Sequence, residues 1–506
     1  MNENKNLTIE ETFKLAVENH QNNKLDVAQE LYNKILKIDP YHLSTLNNLA
    51  AIFQNLGENQ KAKDCYEKAI EIDPDYIDAY YNLGVVHQNL EENQKAINCY
   101  EKVTTINPHH FNGYYNRGVA FKKLGENQKA INCYIKAIEI DPNNIKANNN
   151  LGVIHKELGK FQEAINYYEK VIEIDPNNTN TINNLGVTYK LLGQFQKAKL
   201  CYEKVIEIDP SHLNANNNLG NILTDLGQYK HAKLCYEKAI EIDPNFTVAY
   251  WNLHSTASNI DDALTILKKA YEIDKNYTKA KIVLSALQGY KGNHAMFNEI
   301  LSSPDSNHPY TRSVKWVFSL PKLPKIFFNK YDFFDAIVSL SESSRPFYEF
   351  GVWNGISFQY LINTFKRGFG FDTFSGLPES WHGVQPIGTY SSFGAIPKIE
   401  GGEFIAGKFE DTLPKFFTDE RPLASLINFD ADLYSSTLCA LNYSNKVIDE
   451  KTILIFDELI MNNNWEVDEY KALNEFCDNL GFSYEVIAIS LFSKQVAVKL
   501  EKKVSR

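Results

Sequence analysis

Four carboxylates sit just past two apolar runs. "NFDADLY" places Asp430 and Asp432 after the first, and "ILIFDEL" places Asp457 and Glu458 after the second. Carboxylates at adjacent strand tips repel one another unless they are protonated, paired with a cation or bound to a metal. An all-oxygen donor set suits a hard cation such as Mg²⁺. Individual members can instead cap the helices that follow. A third run, "YEFGVWNG", carries Glu349, Gly351 and Gly355. Backbone without side chains at a strand tip makes room for a ligand or for a tight strand–helix turn. The spacing E-x-G-x-x-x-G is not the G-x-G-x-x-G of dinucleotide enzymes. Asp372 ends the strand that follows Gly351. A carboxylate there can accept hydrogen bonds from both hydroxyls of a ribose.

The elements that must position these residues lie between 341 and 506. "PFYEFGV", "RGFGFDTF", "EFIAGKF", "ASLINFDADLY" and "TILIFDELI" read as short apolar strands separated by helical stretches. "SYEVIAIS" and "QVAVKL" close the chain as an antiparallel pair. Alternating strand and helix predict a mostly parallel sheet covered on both faces. Ligands on such sheets bind beyond the carboxyl ends of the strands, where the unusual residues collect. Residues 301–340 read as a linker, "SSPDSNHPY", followed by aromatic-rich lead-in helices.

Five ordered stretches, "EFGVWNGIS", "GFDTFSGLPESW", "GKFEDTLPKF", "NFDADLYSST" and "ILIFDEL", cover about Phe347 to Leu500. Together they resemble class I S-adenosylmethionine-dependent methyltransferases of the macrocin O-methyltransferase type. The resemblance implies a Rossmann-like α/β domain with S-adenosylmethionine as cofactor. It implies that Glu349, Gly351 and Gly355 shape the methionine and ribose pocket, with Asp372 on the ribose and Phe409 and Glu410 near the adenine. It implies Mg²⁺ held by Asp430 or Asp432 together with Asp457 and Glu458. Metal-dependent relatives often carry Asp-Asp or Asp-Asn at the last pair, where this chain has Asp-Glu. The implied acceptor is a sugar hydroxyl on a glycan or a glycosylated protein. Such an acceptor needs a base, for which Asp432 and His382 are the candidates. His382 lies in "WHGVQPIGTYSSFGAIPKIEGG", a long glycine-studded loop placed for a lid or clamp. A noncatalytic methyltransferase-like module on a scaffold is the alternative. Four clustered acids and Asp372 argue against it. The glycine spacing and the closing antiparallel pair argue against a dehydrogenase.

Residues 1–300 follow a different rule. Pro40, Pro74, Pro108, Pro142, Pro176, Pro210 and Pro244 recur at one constant interval, and tyrosines from Tyr32 to Tyr236 keep the same period. Each unit reads as two amphipathic helices. Gly57, Gly125, Gly159, Gly193 and Gly227 end the first helix, and Glu91 breaks that rule. The pattern resembles the tetratricopeptide repeat, an all-α superhelical array of about eight units with a degenerate last one. Gly84, Gly118, Gly152, Gly186 and Gly220 fall inside helices, which predicts close helix–helix approach. Asn82, Asn116, Asn150, Asn184 and Asn218 recur with that same period. Two residues from the close-packing position is about 200° of helix, which predicts an asparagine ladder facing the groove. Each amide offers two donors and an acceptor to a peptide backbone. Such ladders are a feature of the repeat array of protein O-GlcNAc transferases, which this half resembles. The implied partner is an extended peptide or protein.

The formal net charge of −11 argues against nonspecific binding to nucleic acid or anionic membranes. No apolar run is long enough to span a bilayer, and the polar N-terminus does not read as a signal peptide, so the sequence predicts a cytoplasmic protein. Five of seven cysteines share the repeat register, as small packing residues rather than a disulfide framework.

Overall fold

The computed structural model describes residues 7–380, 388, 391–392 and 394–503. The chain divides into two compact units, Met1–Asn184 and Leu185–Arg506. The first unit is a stack of helix pairs. Ile9–Gln21 packs on Leu25–Ile38, Leu43–Asn55 on Asn59–Ile72, and the series continues to Phe161–Ile174. The first helix is started by a capping box: the Thr8 hydroxyl accepts from the Glu11 N–H, and Glu11 Oε2 accepts from the Thr8 N–H at 2.8 Å.

The in-helix glycines are contact points for the tyrosine of the same repeat. A Cβ added to Gly84 would lie 2.6 Å from the Tyr100 ring, and one on Gly152 would lie 2.5 Å from Tyr168. Both rings are fully buried. The asparagine ladder lies on the same helices, two residues before the glycines. Asn82 Nδ2 donates to Asn47 Oδ1 at 3.0 Å, Asn116 Nδ2 to the Tyr81 hydroxyl at 3.1 Å, and Asn150 Nδ2 to the Tyr115 hydroxyl at 3.4 Å. These partners all belong to the preceding repeat, so the amide donors tie each repeat to the one before it. Asn184 and Asn218 are engaged as well.

Glu91 takes the left-handed conformation, φ 60°, that glycine takes in most other repeats. A non-glycine residue there costs roughly 1–2 kcal/mol, partly offset for glycine by the entropy of the unfolded chain. Glu91→Gly should stabilise the array by about 1 kcal/mol. The check is a shift of the helical unfolding transition to higher urea, with native circular dichroism unchanged.

The second unit joins the last repeats to an eight-stranded sheet. Its strands are β1 (Lys325–Phe327), β2 (Phe347–Phe350), β3 (Gly368–Asp372), β4 (Gly402–Ala406), β5 (Leu426–Phe429), β6 (Ile453–Phe456), β7 (Phe482–Ser490) and β8 (Val496–Lys502). The order is β1-β7-β8-β6-β5-β2-β3-β4, and only β8 runs antiparallel to its neighbours. One hydrophobic core runs from the last repeats (Trp251, Leu267, Leu284) through Val314 and Val317 to the sheet phenylalanines Phe350 and Phe429. The stretch 301–340, expected to be linker and lead-in helices, also supplies β1, which pairs with β7. It supplies the helix Lys330–Ser339 too, capped by Asn329, whose Oδ1 accepts from the Asp332 N–H at 2.8 Å.

Four phenylalanines cross the sheet in register. Phe371, Phe350, Phe429 and Phe456 are paired strand to strand. Their rings stack with centroids 4.8, 5.4 and 4.9 Å apart. The next residue on each strand is Asp372, Gly351, Asp430 and Asp457. The ladder runs one step further at three of them. Gly351, Asp430 and Asp457 each donate an N–H to the phenylalanine carbonyl of the adjacent strand at 2.8–2.9 Å. The aromatic row therefore sets these residues at one level, above a dry floor.

Candidate functional site

The chain runs outward from β2 to β3 and β4, then returns to the other side of β2 with β5 and β6. The crevice beyond β2 and β5 is thus the topological switch point of the sheet, where open α/β sheets bind ligands. A cleft of about 780 Å³ opens there, a size usual for cofactor sites. Gly351, φ 91°, lets β2 and the β5 turn meet: a Cβ there would fall onto the Asp430 carbonyl oxygen. No other residue type fits without moving backbone.

Asp372 anchors the loops around the cleft. Its Oδ2 accepts from the N–H groups of Val352 and Trp353 at 2.8 and 2.7 Å, and its Oδ1 from Phe374 at 2.6 Å. Each oxygen keeps acceptor capacity for a further donor. Phe409 and Glu410 open the helix Phe409–Phe416 and line the cleft, and the Phe409 ring meets Phe350 edge-on at 5.7 Å. Trp353, Asp432 and Lys494 line the cleft with positive φ despite their side chains. Backbone strain of this kind collects at functional sites.

The acids form one cluster with two lysines. Lys330 Nζ is 3.1 Å from Asp457 Oδ1 and 3.8 Å from Asp430 Oδ2, and Lys494 Nζ is 2.7 Å from Glu458 Oε1. Gln495 Nε2 donates to Asp457 Oδ1. Burial works to lower the pKa of the Lys330 ammonium, but Asp457 and Asp430 overcome it and hold it raised. Burial first, and the Asp457 charge second, push the Asp430 carboxyl up. Burial and then Asp430 push Asp432 well above the carboxylate range. Glu349 lies beneath the cleft. Its Oε1 accepts from Asn428 Nδ2 at 2.8 Å and its Oε2 has no partner. Burial and Asp430 hold its carboxyl well up.

Of the residues expected from sequence, Gly351, Asp372, Phe409, Glu410, Asp430, Asp432, Asp457 and Glu458 share this one cleft. Gly355 lies outside it as the N-cap of the helix Ile356–Phe365, φ 78°. His382 lies outside the described residues. Three charged residues were not anticipated: Lys330, Lys494 and Glu469. The last is buried against the acids, with Oε2 accepting the Glu458 N–H at 3.2 Å and Oε1 unpartnered. The only signal for Lys330 was the helix-start pattern "NKYD".

Among the described residues no three acids already converge as a metal site; Lys330 bridges Asp430 and Asp457, and Lys494 pairs with Glu458. In kind and in charge the donor set nonetheless fits a hard divalent cation. All donors are oxygens. Asp430, Asp432 and Glu469 are carboxyls whose proton affinity burial raises, so a cation that binds them displaces protons, and Glu469 Oε1 has no partner. The crevice, Gly351, Asp372 and Phe409 fit a nucleoside-bearing cofactor.

Family models for the tetratricopeptide repeat match residues 77–110, 145–178, 180–212 and 214–246, and a further TPR repeat model matches 55–91 and 120–159. The N-terminal part of the chain is a tetratricopeptide repeat array. Solved structures similar to it include YrrB, "a TPR protein with an unusual peptide-binding site", at 27% identity over 36% of this chain and 95% of that chain, TM-score 0.34. MamA is similar at 28% identity over 33% and 96%, TM-score 0.31. A repeat protein from Parabacteroides merdae is similar at 22% identity over 49% and 98%, TM-score 0.38. No curated protein matches the chain.

Proposed function

We propose that the chain is an S-adenosylmethionine-dependent O-methyltransferase acting on a sugar hydroxyl, and that its repeat array recruits a protein partner or a glycosylated acceptor. The observation that carries this reading is the alignment of Gly351, Asp372, Asp430 and Asp457 above the phenylalanine row at the switch point. S-adenosylmethionine, when bound, supplies a sulfonium methyl open to in-line attack, a step that needs mostly positioning. Mg²⁺, held by Asp430, Asp457 and Glu458, would lower the pKa of an acceptor hydroxyl and orient it.

The protein's own groups do the rest. Asp372, fixed by three backbone N–H groups, receives the ribose hydroxyls. Phe409 offers an apolar face to the adenine. Asp432, whose proton affinity burial and the Asp430 charge raise, takes the hydroxyl proton. Lys330 keeps Asp430 and Asp457 together. Calorimetry with S-adenosylhomocysteine on the full chain tests the reading: one site per chain is expected, and no heat of binding sinks it. The cation has its own test. Mg²⁺ should raise the melting temperature of the wild type, and less so with Asp457→Asn, since a ligand that binds only the native state stabilises it. Full transfer in excess EDTA would remove the cation from the mechanism.

A further inference from the structure

Part of the cleft's lining comes from the repeats. Lys190, Leu191 and Phe195 from one repeat line it, with Thr224, Asp225 and Tyr229 from the next. These are the same three register positions in successive repeats. Both repeat turns are seated on the sheet side. A Cβ on Gly193 would lie 2.6 Å from the Trp353 ring, and Phe195 meets Trp353 edge-on at 6.1 Å. The Tyr331 hydroxyl donates to the Asp225 carbonyl at 3.1 Å, and the rings of Tyr229 and Tyr331 meet at 6.0 Å. Tyr331 follows Lys330, so the second turn braces the residue that holds the acids.

One of these positions changes character along the array, whereas the lysine at Lys190 is already present at Lys122 and Lys156. The place of Phe195 is taken by Asn59, Asn93 and Asn127 in earlier repeats, and becomes aromatic at Phe161, Phe195 and Tyr229. Asparagine serves the repeat fold there; the aromatic residues begin at Phe161, one repeat before those that line the cleft. Lys190 and Asp225 form a half-exposed pair at 3.3 Å joining the two turns. Such a pair adds little stability, and its groups present a donor and an acceptor to the cleft.

We propose that these two repeat turns form the acceptor subsite, with Phe195 and Trp353 as apolar platforms for a sugar ring and Lys190 and Asp225 as partners for its hydroxyls. The inference rests on the methyltransferase reading and assigns specificity to the array itself. Phe195→Asn and Lys190→Gln restore residues that earlier repeats carry, and Phe161→Asn is the control one repeat upstream. All are made in the full chain and checked by melting. Calorimetry with S-adenosylhomocysteine is followed by initial rates on a panel of methyl glycosides at saturating S-adenosylmethionine. The expected result is cofactor binding unchanged throughout. With the best glycoside, KM should rise at least about tenfold for Phe195→Asn and for Lys190→Gln, as expected when a binding contact worth about 1.4 kcal/mol is lost. kcat should stay near wild type, and Phe161→Asn should have no effect. Unchanged KM in both cleft variants overturns the subsite and leaves the methyltransferase reading standing. Cofactor binding without transfer to any glycoside overturns the sugar-binding subsite. Absence of cofactor binding overturns the methyltransferase reading first.

Discussion

Asp432→Asn should abolish methyl transfer, by roughly 10²–10⁴-fold as expected for loss of a general base, and should raise the melting temperature of the metal-free protein. The two effects share a cause. The Asp432 carboxyl has its pKa raised in the folded state by burial and by Asp430. The native state therefore binds protons that the unfolded chain has released, and stability falls as pH rises from the unfolded pKa toward the folded one. Asparagine is neutral throughout, so the variant escapes that loss. Melting curves in EDTA at increasing pH should show wild type and variant diverging, with the variant above. A variant that melts lower at every pH, or that transfers methyl normally, would show Asp432 to be structural.

Asp372→Ala should weaken S-adenosylhomocysteine binding by about 10–100-fold, since hydrogen bonds to a charged group are worth about 1.5–3 kcal/mol. The three N–H groups that Asp372 now satisfies would also be freed, so the loops at Val352–Trp353 and Phe374 should loosen. Asp372→Asn separates the two roles. It keeps one oxygen, enough for the Val352 and Trp353 N–H groups but not for that of Phe374 as well, and loses the charge that favours ribose hydroxyls. Calorimetry on both variants reads the difference, and wild-type affinity in Asp372→Ala would remove the ribose assignment.

The site's strand-borne half was legible because it is written locally. "EFG", "GFD", "NFD" and "IFD" each end an apolar run with a phenylalanine and then the residue that matters. Parallel pairing then brings the four together without further information. Lys330 was not legible, because its place depends on β1 pairing with β7, a strand near the far end of the chain. The wall residues of the repeats were hidden by the periodicity that revealed the array. An average over repeats draws the eye to what recurs, whereas Phe195 and Asp225 matter where the repeats differ. The asparagine ladder was legible in register but not in its contacts. Asn82, Asn116 and Asn150 each donate an amide N–H to the preceding repeat, a contact the period alone does not specify.

The boundary between the compact units, at Asn184–Leu185, has a consequence for copy number. Every repeat residue that lines the cleft lies after it. Adding or losing a whole repeat before Asn184 changes the length of the array and leaves the cleft's composition alone. The same event after Leu185 would exchange Phe195 or Tyr229 for another repeat's residue and displace the turn that braces Tyr331. Array length is therefore free to drift on one side of that boundary and is held on the other. Gene duplication can lengthen the array without changing the residues of the cleft.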